Sequence, residues 1–235
     1  TRVLTEGGYA TPVKTRILAG SVHSSRQQIV RMDRATSLPA RSAARQALVR
    51  RLRAYRGPLD GVLVSDYGFG LVTPEVVGAA VALARRRRVP VTVDSRFDML
   101  RFTGMTAVTP NEAEVEAALG VSIGLDRKRL EAAGRTLLRR LKTKAVLVTR
   151  GRDGMALFER GQAPLHIPIH GTDQVADVTG AGDTVIATFT LALAAGARPA
   201  EAARLANYAG GVVVMKHATA TVSADELVAA VESGA

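Results

Sequence analysis

Two short segments near the start of the printed sequence alternate apolar and polar residues, at positions 13–18 and 28–33. Such alternation is typical of a β-strand that has one face in solvent. The residues between the two segments are rich in glycine and serine, which favour a turn. The pattern therefore predicts a small β-hairpin over residues 13–33 with a polar face.

From residue 38 onward, near-continuous apolar segments alternate with segments of helical periodicity. Strands are predicted at 61–65, 89–94, 106–109, 145–149, 154–159 and 164–169. Helices are predicted at about 38–56 and 74–88, from about 111, and at about 126–142, 181–196, 199–216 and 223–233. This alternation indicates an α/β fold in three layers, with a mainly parallel sheet covered on both faces.

The length and composition fit one globular domain over residues 1–235, with the hairpin at 13–33 and an α/β core at 38–233. The sequence contains no cysteine, which excludes disulfide scaffolds, thiolate metal sites and cysteine nucleophiles. The four histidines have no metal-ligand spacing. No uncharged apolar run reaches 18 residues and no apolar signal core is present, so we expect a cytoplasmic protein that does not contact a membrane.

The chain is basic, with 32 lysines and arginines against 21 acidic residues. Such a charge has two interpretations: an acidic partner, or arginines spread over solvated helix faces. The absence of tryptophan and the low aromatic content argue against a surface that stacks nucleic-acid bases. We therefore expect no nucleic-acid partner, and a phosphorylated small molecule remains the acidic partner of interest.

Polar side chains stand at or just after the ends of predicted strands, at Asp66, Asp94, Asn111 and Thr149. In open α/β sheets, ligands bind beyond the carboxyl ends of the strands. These positions therefore predict a ligand site at one edge of the sheet.

The segment 177–184, Asp-Val-Thr-Gly-Ala-Gly-Asp-Thr, leads directly into an apolar helix. Gly180 and Gly182 let the backbone turn and approach a ligand, and the free N–H groups of a helix start attract an anion. Asp183 stands beside this anion site. It is either a simple helix N-terminal acid or, if a phosphoryl group lies on the amides, the base that takes a proton from an attacking hydroxyl.

The motif at 177–183 resembles the C-terminal signature of the ribokinase-like (PfkB) carbohydrate kinases. Residues 109–114, Thr-Pro-Asn-Glu-Ala-Glu, resemble the Asn-x-x-Glu motif of that family, and residues 148–154 resemble its nucleotide-side strand and turn. Residues 206–210 resemble the helix start beside the adenine, and the order of motifs matches over 13–233. The resemblance implies a ribokinase-like fold with a hairpin lid and an ATP-dependent phosphotransferase.

The resemblance also implies roles for individual residues. Asp183 would act as base, and the N–H groups of Gly180, Ala181 and Gly182 would stabilise the developing charge. Glu114 would approach Mg²⁺ through water, and Asp177 would either hold a monovalent cation such as K⁺ or cap its loop. The implied nucleotide-binding residues are Asn111, Glu114, Thr149, Arg150, Gly151, Gly154 and Asn207.

Within the family, segments such as 26–33, 65–68 and 101–104 look most like the D-glycero-β-D-manno-heptose-7-phosphate kinases. Two lysines of that group are missing, because Phe69 and Arg96 stand at their positions. The basic residues Lys14, Arg16, Arg31 and Arg96 are either phosphate-binding residues or a solvated face. The substrate is thus expected to be a sugar or sugar phosphate, with heptose 7-phosphate as one candidate.

The family domain usually begins with a βαβ portion that carries a substrate-binding Asp, and we expect this portion to be missing here. The alternative function is therefore a truncated or non-catalytic module that binds only nucleotide or sugar. Related kinases often pair through their lids, so we also expect a homodimer that forms through the hairpin.

Overall fold

The computed structural model describes residues 3–19, 27–171, 178–216 and 219–234. The strands are β1 (Val13–Ala19), β2 (Gln27–Arg34), β3 (Val62–Asp66), β4 (Val91–Ser95), β5 (Ala107–Val108), β6 (Ala145–Thr149), β7 (Met155–Glu159) and β8 (Leu165–Ile167). The α-helices are α1 (Ala43–Ala54), α2 (Pro74–Arg87), α3 (Glu112–Leu119), α4 (Arg127–Leu141), α5 (Ala181–Ala194), α6 (Pro199–Val214) and α7 (Ala224–Ser233). Every predicted strand and helix is present, with bounds that differ by a few residues.

Six strands form one sheet in the order β3-β4-β5-β6-β7-β8. The pairs from β3 to β6 are parallel, and β7 and β8 continue the sheet as antiparallel strands. The predicted mainly parallel sheet is therefore confirmed, and its parallel half brings several strand ends to one edge.

Helices cover both faces of this sheet, which gives three layers. Along β6, Val146 and Val148 pack into a core with helices α2 and α4, whereas Ala145 and Leu147 pack into a second core with α5 and α6. Because successive side chains of a strand point to opposite faces, a strand buried on both sides must be apolar throughout. This is why the first four residues of β6 are all apolar.

Helix α1 begins later than the sequence pattern predicts. The helix starts at Ala43 rather than near residue 38, because the Ser42 hydroxyl accepts a hydrogen bond from the Arg45 N–H and forms the N-cap. The Glu6 carboxylate also accepts hydrogen bonds from the Ser42 hydroxyl at 2.6 Å and from the Ala44 N–H at 2.7 Å. These contacts hold the pKa of Glu6 below its ordinary value and join the N-terminal segment to α1.

Strands β1 and β2 form the predicted antiparallel hairpin, with Arg16 opposite Arg31 and Ile17 opposite Val30. Since paired residues share a face, one face carries basic side chains and the other carries Ile17, Val30 and Met32. These three apolar side chains are exposed. The two faces of the hairpin therefore have different chemistry.

The densest run of positive charge in the sequence, Arg85 to Arg88, lies at the C-terminal end of α2. The Arg87 guanidinium donates hydrogen bonds to the carbonyls of Arg56 and Gly57, and that of Arg86 donates to Tyr55. These contacts fasten the end of α2 to the segment that follows α1.

None of the helices in the described ranges combines the length and apolar character of a bilayer-spanning segment.

Candidate active site

The parallel strand ends open into a cleft of about 580 Å³, as the positions of polar residues predicted. Its walls come from three sources: the strand ends, the basic face of the hairpin and the start of α5. The lining residues include Lys14, Arg16, Arg31, Asp66, Tyr67, Asp94, Arg96, Thr109, Asn111, Glu114, Thr149, Gly180, Gly182 and Asp183. We call this space the polar cleft.

Asp183 lies in the first turn of α5, on the wall of the polar cleft. The N-cap of this helix is Gly180, whose φ of +85° lies in the left-handed region that favours glycine. The space around Gly182 is open, because a Cβ added there would meet no atom of the described residues within 4 Å. The Ala181 N–H donates to the Val178 carbonyl at 3.3 Å, but no described side chain caps this helix N-terminus. A carboxylate and a helix N-terminus therefore face the same cleft, which is the arrangement that an anionic reactant needs.

Asn111 and Glu114 form a capping box at the start of α3. The Asn111 side chain accepts a hydrogen bond from the Glu114 N–H at 2.8 Å, and the Glu114 carboxylate accepts one from the Asn111 N–H at 2.9 Å. Both side chains also line the polar cleft. The geometry therefore allows Asn111 to cap α3 and to border a ligand in the cleft.

Acidic groups are crowded at the floor of the polar cleft. Burial, followed by the nearby charges of Glu114 and Asp183, raises the pKa of Asp94 to about 7. Burial also raises the pKa of Glu114. Beside them the Thr109 hydroxyl is buried, and its oxygen has no hydrogen-bond partner within the described residues. Repelling carboxylates and an unsatisfied hydroxyl suit a hydrated cation.

Asp94→Asn is expected to stabilise the ligand-free protein against unfolding, by an amount that increases from about pH 4 to about pH 7. An unfolded aspartate ionises near pH 4, at roughly 3.9, whereas folded Asp94 holds its proton until about pH 7. Between these values the folded state binds more protons, so the stability of the natural protein falls as pH rises. The free energy of unfolding of the variant, relative to that of the natural protein, should therefore rise over this window by about 4 kcal/mol and then stay constant.

Urea unfolding of both proteins at pH 4.5 and pH 8, roughly the two ends of the window, measures this difference. Asp60→Asn is the control, since Asp60 is exposed and lies outside the polar cleft. If the free energy of unfolding of Asp94→Asn differs from that of the natural protein by the same amount at both pH values, the Asp94 carboxyl titrates normally and the prediction is wrong.

A second, more apolar cleft adjoins the first. Its walls include Met155, Ile169, Val185 and Val214 together with the turn that follows β6, and Thr149 and Gly182 line both clefts. The predicted residues Gly151, Gly154, Ala181 and Asn207 also line it, and so does Arg152. An apolar pocket that opens toward a helix N-terminus suits a ring system that carries phosphates. We call it the apolar cleft.

Two predictions about the apolar cleft need correction. Asn207 does not stand at a helix start, because α6 runs continuously from Pro199 to Val214 and Asn207 lies in its interior. Its amide instead donates a hydrogen bond to the Pro168 carbonyl at 2.8 Å. The Arg150 guanidinium points away from the cleft and donates to the Glu112 carboxylate at 2.6 Å and to the Gly124 carbonyl at 3.1 Å. Arg150 is thus not among the residues that line either cleft, although its neighbours Thr149 and Gly151 are.

Two other acidic residues of α3, Glu112 and Glu116, form contacts within the protein. Glu112 holds Arg150 and is largely shielded, and the Glu116 carboxylate accepts a hydrogen bond from the Ile123 N–H at 2.5 Å. Both contacts join segments that are distant in sequence or separated by a loop, so local patterns do not reveal them.

The four basic residues predicted to contact a phosphate all line the polar cleft: Lys14, Arg16, Arg31 and Arg96. Burial and the charge of Arg96 lower the pKa of Lys14, which shows that these cations are close together. A cluster of like charges on one wall favours a second anion, in addition to the one at the start of α5. Arg31 also pairs with Asp33 at 3.1 Å.

Tyr67 is a site residue that the sequence did not single out. Its hydroxyl donates a hydrogen bond to Asp183 Oδ2 at 2.7 Å. Burial, then the hydrogen bond and charge of Asp183, raise the pKa of Tyr67 to about 12. Its position directly after Asp66, at a strand end, is the sequence feature that could have marked it as a site residue.

Asp177, the predicted monovalent-cation ligand, lies outside the described residues.

A sequence model described as pfkB family carbohydrate kinase matches residues 72–226 of the chain. Curated relatives include the bifunctional protein HldE of Pelobacter propionicus, 41% identical over 222 residues, which cover 94% of this chain and 44% of the relative. The HldE protein of Geobacter sulfurreducens is 42% identical over 229 residues, which cover 97% of this chain and 45% of the relative. The chain thus spans slightly less than half the length of these relatives.

Solved structures with a similar fold include ribokinase from Arabidopsis thaliana complexed with ribose and ATP. It matches 78% of this chain and 58% of its own, with a TM-score of 0.66 and 23% identity. Phosphofructokinase-2 from Escherichia coli in complex with potassium matches 87% of this chain and 66% of its own, with a TM-score of 0.71 and 18% identity. At these identities the similarity establishes the three-layer ribokinase-like fold.

Proposed function

The chain belongs to the pfkB family of carbohydrate kinases, and from this membership we propose that it transfers the γ-phosphoryl group of ATP to a hydroxyl of a sugar or sugar phosphate. The observation that carries the proposal is the position of Asp183. This carboxylate lies in the polar cleft one residue after Gly182, which lines both clefts. A nucleotide in the apolar cleft and a sugar in the polar cleft would therefore meet beside a base.

The proposed step is an in-line transfer. The acceptor oxygen attacks the γ-phosphorus, its proton passes to the Asp183 carboxylate, and the bond between the γ-phosphorus and the ADP oxygen breaks. The N–H groups of Gly180, Ala181 and Gly182 lie at the start of α5, where a helix stabilises negative charge. The chain would thus supply both a proton acceptor and hydrogen-bond donors at the start of α5.

Magnesium fits the polar cleft. The raised pKa of Asp94 and the unsatisfied Thr109 hydroxyl are the features that a hydrated cation would relieve. Glu114 and Asn111 would contact the hydration shell of such an ion, whose charge would offset that of the phosphates. From the resemblance, we also propose that Asp177 binds a monovalent cation such as K⁺.

For the nucleotide, we propose that the base lies in the apolar cleft beside Gly151, Gly154 and Asn207. Thr149 would border the ribose and phosphates. Since Gly182 lines both clefts, the phosphates would extend from the apolar cleft toward α5 without crossing a protein wall.

The acceptor is proposed to carry a phosphate of its own. Lys14, Arg16, Arg31 and Arg96 line the polar cleft and not the apolar cleft. Of these four, only Arg31 forms an ion pair within the described residues, with Asp33, so a phosphate on the acceptor would meet an excess of positive charge. The resemblance to the heptose-7-phosphate kinases makes heptose 7-phosphate the first candidate. ATP and sugar phosphates are metabolites of the cytoplasm, where we expect the reaction.

The direct test is an acceptor panel. The full-length protein with ATP and magnesium chloride is given D-glycero-D-manno-heptose 7-phosphate, fructose 6-phosphate or ribose, and ADP release is measured together with the phosphorus NMR spectrum of the product. Of the three acceptors, a phosphorylated one should be converted to product at the lowest acceptor concentration. ATP binding without product from any acceptor would favour the non-catalytic module. Salt-sensitive DNA binding that exceeds ATP binding would favour a nucleic-acid protein instead.

We propose that a second copy of the chain covers the apolar face of the hairpin. Ile17, Val30 and Met32 are exposed there, and an isolated two-stranded ribbon is marginally stable. Met32→Glu places a charge on this face, so it is expected to convert the dimer to a monomer, as measured by light scattering at micromolar protein. The control is Val228→Glu on α7, which is equally exposed and remote. A natural protein that is already monomeric would contradict the proposal.

A further inference from the structure

We infer that Tyr67 is a positioning residue with two separable parts: its hydroxyl orients the Asp183 carboxylate, and its ring holds the phosphate-binding cations Lys14 and Arg96. This inference rests on the proposed kinase function. It adds a residue that contacts both the proposed base and the proposed site for the acceptor phosphate.

The hydroxyl part follows from the contact with Asp183. The phenol donates to Oδ2 at 2.7 Å, a normal length for a hydrogen bond to a carboxylate. Within the described residues no other group donates to this carboxylate. Asp183 is exposed and stands on the first turn of a helix, so its side chain would otherwise rotate freely. One oxygen held by Tyr67 leaves the other for the acceptor hydroxyl.

The ring part follows from two cations beside the same tyrosine. Lys14 Nζ lies 5.0 Å from the centre of the Tyr67 ring, and Arg96 Cζ lies 5.9 Å from it. Both distances are within the range of cation–π attraction. Lys14 comes from the hairpin and Arg96 from the loop after β4, so Tyr67 joins three separate segments at one point.

A purely structural role fits the surroundings poorly. Tyr67 is 41% exposed and belongs to none of the buried core clusters. Its neighbours are ionised groups that line the polar cleft. Removal of its hydroxyl should therefore leave the free energy of unfolding almost unchanged while it alters the site.

Two variants separate the two parts. Tyr67→Phe keeps the ring and removes the hydroxyl, so kcat should fall by about tenfold from lost orientation of the base, with the KM for the phosphorylated acceptor unchanged. Tyr67→Leu removes the ring as well, so this KM should also rise. The matched control is Tyr55→Phe, whose hydroxyl donates to the Pro58 carbonyl far from the cleft; its kinetics should equal those of the natural protein.

A double-mutant cycle with Asp183→Asn tests whether Tyr67 acts through Asp183. In the Asp183→Asn background, Tyr67→Phe should cause no further loss of the residual kcat. A binding-independent readout is the NMR titration of ring-labelled tyrosine, with the Tyr67 signal identified by its loss in Tyr67→Phe. Asp183→Asn should lower the pKa of Tyr67, because the negative charge is removed and the remaining amide oxygen is a weaker acceptor than a carboxylate.

The outcomes separate the inference from the proposed function. If Asp183→Asn keeps full turnover, the proposed base is wrong and the positioning role falls with it. If Asp183→Asn is inactive but Tyr67→Phe is fully active, or if the two losses multiply, the positioning role alone is overturned. A Tyr67→Leu variant with unchanged acceptor KM would overturn the role of the ring.

Discussion

Asp183→Asn is expected to lower kcat by about 10²–10⁴-fold, the usual contribution of a positioned general base. Asparagine has nearly the same size and keeps the place of the residue in the first turn of α5, but it cannot accept the proton of the acceptor hydroxyl. ATP affinity should change little, because the N–H groups at the start of α5 remain. Steady-state kinetics together with calorimetric ATP titration measure both quantities.

The matched control for this variant is Asp225→Asn. Asp225 is also an exposed acid in the first turn of a helix, α7, so the change removes the same charge from the same local structure. Its kinetics should be those of the natural protein. If Asp183→Asn retains most of its turnover, or loses ATP binding rather than turnover, Asp183 is only a helix N-terminal acid.

The sequence predicted the layers and the location of the site because both follow from local patterns. An apolar run such as β6 must be buried on both faces, and polar residues at parallel strand ends such as Asp66 and Asp94 must share one edge. The start of α5 was equally accessible, because the chemistry of residues 180–183 lies in one continuous segment. Asp66 and Asp94 are distant in sequence, but the parallel alternation of strands and helices is enough to place both at the same edge.

The features that the sequence did not predict depend on partners distant along the chain. Tyr67 and Asp183 are 116 positions apart, and Arg150 and Glu112 are 38 apart. Whether Arg150 points into a cleft or toward Glu112 depends on the bridge that sets Asn111 beside Thr149. The raised pKa of Asp94 likewise needs the positions of Glu114 and Asp183. No local pattern contains this information, since it arises from packing.

Gly182→Val is expected to weaken ATP binding by on the order of 10²-fold while the fold is kept, because overpacking typically costs about 1–3 kcal/mol. The open space around Gly182 has room for a side chain, so the ligand-free protein should tolerate the change. That space is also where both clefts meet. If phosphates occupy it, a branched side chain excludes them and hinders their approach to the N–H groups of α5.

Gly78→Val on α2 is the control for this variant. It is also an exposed helical glycine with no described atom within 4 Å of an added Cβ, and it lies away from both clefts. The two variants should have similar melting temperatures, so calorimetric ATP titration isolates the effect of position. Equal ATP affinity in both variants would mean that the phosphates do not pass Gly182, and the proposed path from the apolar to the polar cleft would be wrong.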